Sequence, residues 1–242
     1  MITRLLELDQ VSKSFGQLRV ITDLSFRVEA GEALGVVGPN GAGKTTMMNL
    51  IGGTIPSDSG RIVFEGADVT HLSAHARCRA GIGRTFQIPQ PFEGLTVFEN
   101  ALVGIRFGTA ERSGDPFGTV MDLLDRTGLA HRANVLAASL TLLERKRLEL
   151  ARALATGPRV LLLDEIGGGL TEAEVGELIQ TIRDLRAEGI TIVWIEHIVH
   201  ALLSVVDRLI AIDFGRMLKE GKPEMVMASP EVQAVYLGIG AE

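Results

Sequence analysis

The chain of 242 residues has one cysteine, Cys78, which excludes an intrachain disulfide and fits a reducing compartment. It has no uncharged apolar run near the ~18 residues that a membrane span needs. The longest candidates, residues 160–163 and 190–195, are of strand length. The first fifteen residues carry charges at Arg4, Glu7, Asp9 and Lys13 and no apolar core of signal-peptide length. Positive charge is not in excess. The 24 Lys and Arg face 30 Asp and Glu, and the net charge of −6 argues mildly against general nucleic-acid binding while leaving room for a local basic patch. Internal repeats and low-complexity linkers are missing too. The expectation is one soluble or membrane-peripheral unit, and a 46% hydrophobic composition supplies it with a substantial core.

Against these absences stands one dense motif. Gly38-Pro39-Asn40-Gly41-Ala42-Gly43-Lys44-Thr45-Thr46 matches G-x-x-x-x-G-K-[ST], a phosphate-cradling loop. An apolar run over 33–37 predicts a buried strand before it, and 47–51 predicts a helix after it. That is the setting the motif requires. Glycines let backbone N–H groups turn inward around an anion, and the helix start adds partial positive charge. Lys44 can reach the β- and γ-phosphates, and the Thr45 hydroxyl can sit on Mg²⁺.

The remaining pattern is mixed. Residues 5–11 and 18–28 read as strands around a turn at Phe15-Gly16-Gln17, and 61–64 and 82–86 as further strands. From about 88 to 155 the chain reads as mostly helical, broken over 108–118. Strands return at 159–163, 191–195 and 208–212, separated by helical crossovers as in a parallel sheet. Thr96 with Glu99, Thr141 with Glu144 and Thr171 with Glu174 are candidate capping boxes, and Ser229-Pro230 marks another helix start.

The run over 160–163 ends in Asp164-Glu165. A buried strand would deliver both acids to its carboxyl end, where open α/β sheets bind ligands. One reading gives Asp164 to Mg²⁺ through water and Glu165 to the attacking water. The other is an ordinary strand ending in solvated acids. The strand at 191–195 ends in Glu196-His197, which places an imidazole either near a γ-phosphate or in solvent. Gln87 closes Arg84-Thr85-Phe86-Gln87 where the helical insert begins, and its amide can reach Mg²⁺, water or bulk solvent.

Taken together, these motifs resemble an ATP-binding cassette (ABC) subunit over nearly the whole chain. The resemblance implies an α/β fold: a P-loop NTPase (RecA-like) core with an N-terminal antiparallel β subdomain and an inserted helical subdomain. Residues 1–242 then form one domain, with 1–87 and 156–242 as catalytic core and 88–155 as helical subdomain. It implies ATP and Mg as cofactors, with Gln87, Glu165 and His197 catalytic and Thr45, Gln87 and Asp164 at the metal. It makes Phe15 the adenine-stacking aromatic, unless that ring packs into the sheet. It also implies two cassettes closing head to tail around two ATP molecules.

Closer still, Gly83-Arg84-Thr85-Phe86-Gln87, Leu95-Thr96-Val97-Phe98-Glu99-Asn100, Ile212-Asp213-Phe214-Gly215-Arg216 and Val235-Tyr236-Leu237-Gly238 resemble the cytoplasmic ATPases of branched-chain amino-acid importers. Urea and short-amide importers use similar subunits. The resemblance implies a peripheral position at the cytoplasmic face of the membrane. Permease subunits would be direct partners, a solute-binding protein an indirect one, and nucleic acid none. Three other readings stand beside it: a regulatory nucleotide-binding subunit with weak turnover, a soluble ABC protein acting on DNA or ribosomes, and a small-molecule kinase.

One segment departs from the family. Where L-S-G-G-Q is usual, the chain has Leu140-Thr141-Leu142-Leu143-Glu144. Thr141 and Glu144 keep a capping pattern. Leu143 puts a branched side chain where a bare backbone would approach a partner's γ-phosphate. Glu144 adds an anion near phosphate, a repulsion of about 3 kcal/mol at ~5 Å and an effective dielectric of ~20. Arg145, Lys146 and Arg147 read either as a solvated basic face or as an offset to that charge. Gly167-Gly168-Gly169, after the acid pair, implies a permissive backbone. The altered segment favours pairing with a different cassette over a homodimer.

Overall fold

A computed structural model describes residues 4–109 and 115–237. Gly238 of the closing segment and residues 110–114 of the expected helix break lie outside them. Strands β1 (Arg4–Phe15) and β2 (Leu18–Glu29) form an antiparallel hairpin. Then come β3 (Ala33–Val37), α1 (Lys44–Gly52), β4 (Ser59–Phe64), β5 (Ala67–Asp68), α2 (Ala74–Ala80) and β6 (Ile82–Arg84). A helical stretch holds α3 (Val97–Phe107), α4 (Pro116–Arg126) and α5 (Leu142–Ala155), with short 3-10 turns between the last two. The chain returns through β7 (Val160–Asp164), α6 (Glu172–Ala187), β8 (Thr191–Ile195) and α7 (Val199–Leu203). It closes with β9 (Arg208–Asp213), β10 (Arg216–Gly221), α8 (Pro223–Met227) and α9 (Pro230–Leu237).

Two sheets result. One has the order β2-β1-β4-β5 and is antiparallel. The other has the order β10-β9-β3-β8-β7-β6 and is parallel except for the edge strand β10. Every residue of β3, β7 and β8 is buried, as continuous apolar strands covered on both faces must be. In contrast, β2 alternates buried and exposed residues from Leu24 onward, the mark of a sheet with one wet face. One apolar cluster joins the small sheet and α1 to one face of the large sheet. A second packs α6 and α7 on its other face, and a third unites α3, α4 and α5.

The loop, the Asp164-Glu165 pair and His197 all follow the carboxyl ends of adjacent parallel strands, β3, β7 and β8. This is the crevice where such sheets take ligands. All three capping boxes form, with Thr96, Thr141 and Thr171 each accepting from the backbone three residues on. Ser229 precedes α9 as expected, but its hydroxyl donates backward to the Val226 carbonyl.

Some expectations need correction. β6 stops at Arg84 and not at Phe86, because the chain leaves the sheet after Thr85, whose N–H donates to the Leu162 carbonyl at 2.9 Å, and passes beside the buried Glu149 of α5. Residues 88–96 form no helix; the Asn100 side chain instead ties Phe92, Leu95 and Thr96 together. Gly118 lies within α4 and not in the break. The hairpin strands run past their expected ends, and α2, β5, β10 and α8 are additional elements.

Candidate active site

The loop after β3 is shaped by close contacts. A Cβ on Gly38 would sit 2.2 Å from the Ile212 carbonyl oxygen. Gly43, at φ 99°, would bring a Cβ to 2.7 Å from Ile21 Cδ1 and 2.9 Å from the Val20 carbonyl oxygen. Unlike α3, α5 and α6, α1 begins with no side-chain cap. Its first-turn N–H groups and the positive end of its dipole are left for an anion. The cavity there, about 200 Å³, is lined by Val20, loop residues 40–46 and Glu165. The buried Lys44 ammonium donates to the carbonyls of Gly38 at 2.7 Å and Pro39 at 2.9 Å. Burial lowers the Lys44 pKa, while Glu165 and Asp164 act to raise it.

Asp164 ends β7 almost fully buried. Its Oδ2 accepts from Arg84 Nη2 at 3.1 Å, and Arg84 Nη1 donates to Asn49 Oδ1 at 2.7 Å. Its Oδ1 is buried with no hydrogen-bond partner. Burial raises the Asp164 pKa, and Arg84 opposes the shift. A buried acid paired with a guanidinium, with one oxygen left unmatched, suits a cation or its water shell.

Glu165 adopts a left-handed backbone, φ 47°, which costs about 1–3 kcal/mol for a residue with a Cβ. Its N–H donates to the Ile195 carbonyl at 2.9 Å. Its Oε2 accepts from Gln87 Nε2, and its Oε1 lies 2.8 Å from His197 Nε2. Gln87, Glu165 and His197 are therefore brought together, and the acid pair is not a solvated strand end. Glu196, buried beside them, accepts from the N–H groups of Gly167 and His197 at 3.0 Å each, which fixes the turn after Glu165. Within that turn only Gly169 has a positive φ, 79°, and a Cβ there would meet Leu142 at 3.1 Å.

Phe15 lies at the hairpin tip, 50% exposed, with the Lys13 ammonium 5.5 Å from its ring centroid. It does not pack into the sheet, nor does it line the loop cavity, where Val20 stands instead.

The altered segment is not arranged as the sequence suggests. Leu140 is buried, Thr141 and Leu142 are exposed, and Leu143 and Glu144 are half-buried. The Glu144 carboxylate takes the Thr141 N–H and pairs with Arg132 Nε at 2.6 Å, which holds its pKa below the usual carboxylate value. Its charge is thus answered from residue 132, not by the neighbouring basic triplet. That triplet is no solvated face. Arg145 donates to the carbonyls of Leu140 and Ala138, and Arg147 pairs with Glu177. Lys146 is 5% exposed, with its ammonium 3.3 Å from the Gln87 carbonyl oxygen and 3.4 Å from that of Glu165. Helical spacing carried the clue: 146 shares a face with the core residues Leu150, Ala153 and Leu154. The roles of Arg84 and Arg132 have no comparable signal in the sequence.

A second cavity, about 280 Å³, opens between the large sheet and the helical stretch. Gly52, Cys78, Phe86, Phe107 and Arg152 are among its walls. No helix of the described residues is long and apolar enough to cross a membrane.

A phosphate loop on a parallel sheet, with strand-end acids beside it, defines a P-loop nucleoside triphosphatase. A family model described as ABC transporter matches residues 21–167, and the chain belongs to that family. It is 38% identical over 230 residues to a probable ABC transporter ATP-binding protein of Azorhizobium caulinodans, covering 94% of this chain and 81% of that one. It is 34% identical to the lipopolysaccharide export system ATP-binding protein LptB of Haemophilus influenzae, over 97% of both chains. Among solved structures it is similar to the ADP conformation of MJ1267, an ATP-binding cassette of an ABC transporter. That match has a TM-score of 0.87 and 29% identity, over 97% of this chain and 99% of that one. The chain is thus an ATP-hydrolysing, ATP-binding subunit of an ABC transporter, a class that works with membrane permease subunits.

Proposed function

We propose that Glu165 is the residue that activates water for ATP hydrolysis, with His197 and Gln87 orienting it. The observation that carries this reading is that both Glu165 carboxylate oxygens are engaged, one by His197 and one by Gln87, at the mouth of the phosphate cavity. Loop residues 38–46 bind the phosphates, with Lys44 exchanging its loop carbonyls for phosphate oxygens. Because Gln87 donates through Nε2, its amide oxygen is left for water or the metal. Thr45, Gln87 and Asp164 would hold Mg²⁺, Asp164 through water, and the orphaned Asp164 Oδ1 fits that role. When bound, the ion neutralises phosphate charge. Phe15 stacks on the adenine. Residues 1–87 and 156–242 act as the catalytic core and 88–155 as a helical arm. The test is Glu165→Gln: nucleotide affinity should stay near wild type while turnover falls about 10²–10⁴-fold. Wild-type turnover in this variant would rule the assignment out.

We further propose that the subunit energises an importer of branched-chain amino acids or related small polar solutes such as urea and short amides. It would sit at the cytoplasmic face of the membrane, its permease docked at the cavity where the helical arm meets the core. Segments 83–87, 95–100 and 212–216 support this reading through their resemblance to that branch. The 33–35% identity to lipopolysaccharide export ATPases over at least 94% of this chain favours a second reading, export of a lipid-linked substrate. Reconstitution with the genomically adjacent permease separates the two. Stimulation of ATP turnover by a solute-loaded binding protein supports import, and stimulation by lipopolysaccharide supports export.

A further inference from the structure

Helix α5 reaches the catalytic centre through side chains that the site assignment leaves unused. Lys146, Glu149 and Arg152 recur at three-residue intervals, so their side chains lie along adjoining turns. Burial raises the Glu149 pKa, and Arg152 and the backbone of Gln90 and Phe86 oppose that shift. Arg152 Nη1 donates to the Gln90 carbonyl at 2.7 Å and to Glu149 Oε2 at 3.1 Å, and its guanidinium lies 4.7 Å from the Phe92 ring centroid. The backbone on either side of Gln87 is therefore held by one helix. Lys146 adds a bond of another kind. Its ammonium spans two elements, the segment after β6 at Gln87 and the segment after β7 at Glu165.

The Glu165 carbonyl matters because its residue is strained. A left-handed glutamate persists only where its surroundings hold it. Here the N–H is fixed by the Ile195 carbonyl and the carbonyl by Lys146. Burying an ammonium is costly unless it is matched by acceptors and charge. Lys146 has both, with Glu196 and Glu165 as the carboxylates that oppose the effect of its burial.

We propose that Lys146 is a positioning residue for hydrolysis. By bonding the backbone carbonyls of Gln87 and Glu165, it fixes the spacing and aim of the two side chains that meet over the attacking water. The same helix begins at the altered segment 140–144, so movement of that segment reaches the Gln87–Glu165 pair through Lys146. The inference rests on the assignment of Glu165 given above.

The test uses the full chain with Lys146→Met, which keeps the apolar stem and removes the donors, and Lys146→Arg, which keeps them. Three quantities are read: Mg²⁺-ATP affinity by calorimetry, kcat and KM for ATP, and amide hydrogen exchange over 86–90 and 165–168. The expectation for Lys146→Met is a fall in kcat of about 10²-fold, the scale of an ångström-sized misplacement. Affinity and KM should stay within about twofold, and exchange should rise in both segments. Lys146→Arg should recover most of the turnover. Equal loss in Met and Arg variants, unchanged exchange, or a loss confined to affinity overturns the proposal. If Lys146→Met fails to fold, Lys146→Leu, which also lacks donors, is read in the same three ways. Wild-type turnover in Glu165→Gln overturns the underlying assignment. Wild-type turnover in Lys146→Met beside an inactive Glu165→Gln overturns the role of Lys146 alone.

Discussion

His197 and Glu165 meet at 2.8 Å, although they follow different strands and stand 32 positions apart in the sequence. The contact occupies one carboxylate oxygen and leaves the other to Gln87. His197→Ala should therefore loosen Glu165 without emptying the phosphate loop. The expected result is a fall in kcat on the order of 10²-fold with ATP affinity nearly unchanged. Steady-state kinetics beside calorimetry checks it, and a loss of affinity equal to the loss of rate would contradict the placement.

The altered segment bears on pairing. Leu143 is half-buried at the start of α5, where the family has glycine. We expect weak turnover by the chain alone and a gain when a neighbouring cassette is added. Leu143→Gly should produce a further gain or a more even use of two sites. Full cooperative turnover by the isolated chain, unaffected by the substitution, would exclude an obligatory heterodimer.

A pH dependence follows from Glu144. Its bond to Arg132 depresses its pKa in the folded chain below the reference value of 4.5. A depressed carboxylate stabilises the fold above its unfolded pKa and loses that contribution as pH falls through its folded pKa. Wild type should therefore lose more stability than Glu144→Gln as the solution is acidified below about pH 4.5. Chemical denaturation at several pH values measures the difference, and parallel acid profiles would count against the pair.

Arg77 is 1% exposed and donates to the carbonyls of Leu50, Ile51, Thr70 and Leu72. Removing it leaves the end of α1 and the 70–72 turn short of donors, at about 1–3 kcal/mol for each buried acceptor left unmatched. Arg77→Met should lower stability by about 3 kcal/mol or more, a fall in Tm of roughly 6–12 °C. A calorimetric scan within 2 °C or so of wild type would refute this.

Phe15 makes a sharper test of the adenine assignment than its place in the hairpin alone. Its ring is half exposed, so Phe15→Ala should cost little stability. If the ring stacks on a base, ATP and GTP affinities should fall together, by about 1–3 kcal/mol. Unchanged affinity for both would rule out the adenine assignment and leave the ring with the Lys13 ammonium beside it.

Much of this molecule could be read before its structure was seen. β3, β7 and β8 are continuous apolar runs, and the loop and acids follow such runs at fixed offsets. The elements that escaped reading lack that contrast. α2 has seven residues, and its only buried side chain is the charged Arg77. β10 is an edge strand with no fully buried residue. At the site, the ordered motifs and the family resemblance pointed to Gln87, Glu165 and His197, which the structure brings together, but the direction of a long side chain is set by tertiary packing. Lys146 could thus be counted with Arg145 and Arg147 as one basic triplet although it points inward.

The placement of α1 has a mechanical consequence. Its first residue, Lys44, lies in the phosphate loop, and its last, Gly52, forms part of the wall of the cavity beside the helical stretch. Nine residues at 1.5 Å each make a strut of about 13 Å. The guanidinium of Arg77 bonds the carbonyls of Leu50 and Ile51 and so ties down its far end. One continuous, anchored helix therefore joins that wall to the phosphate loop.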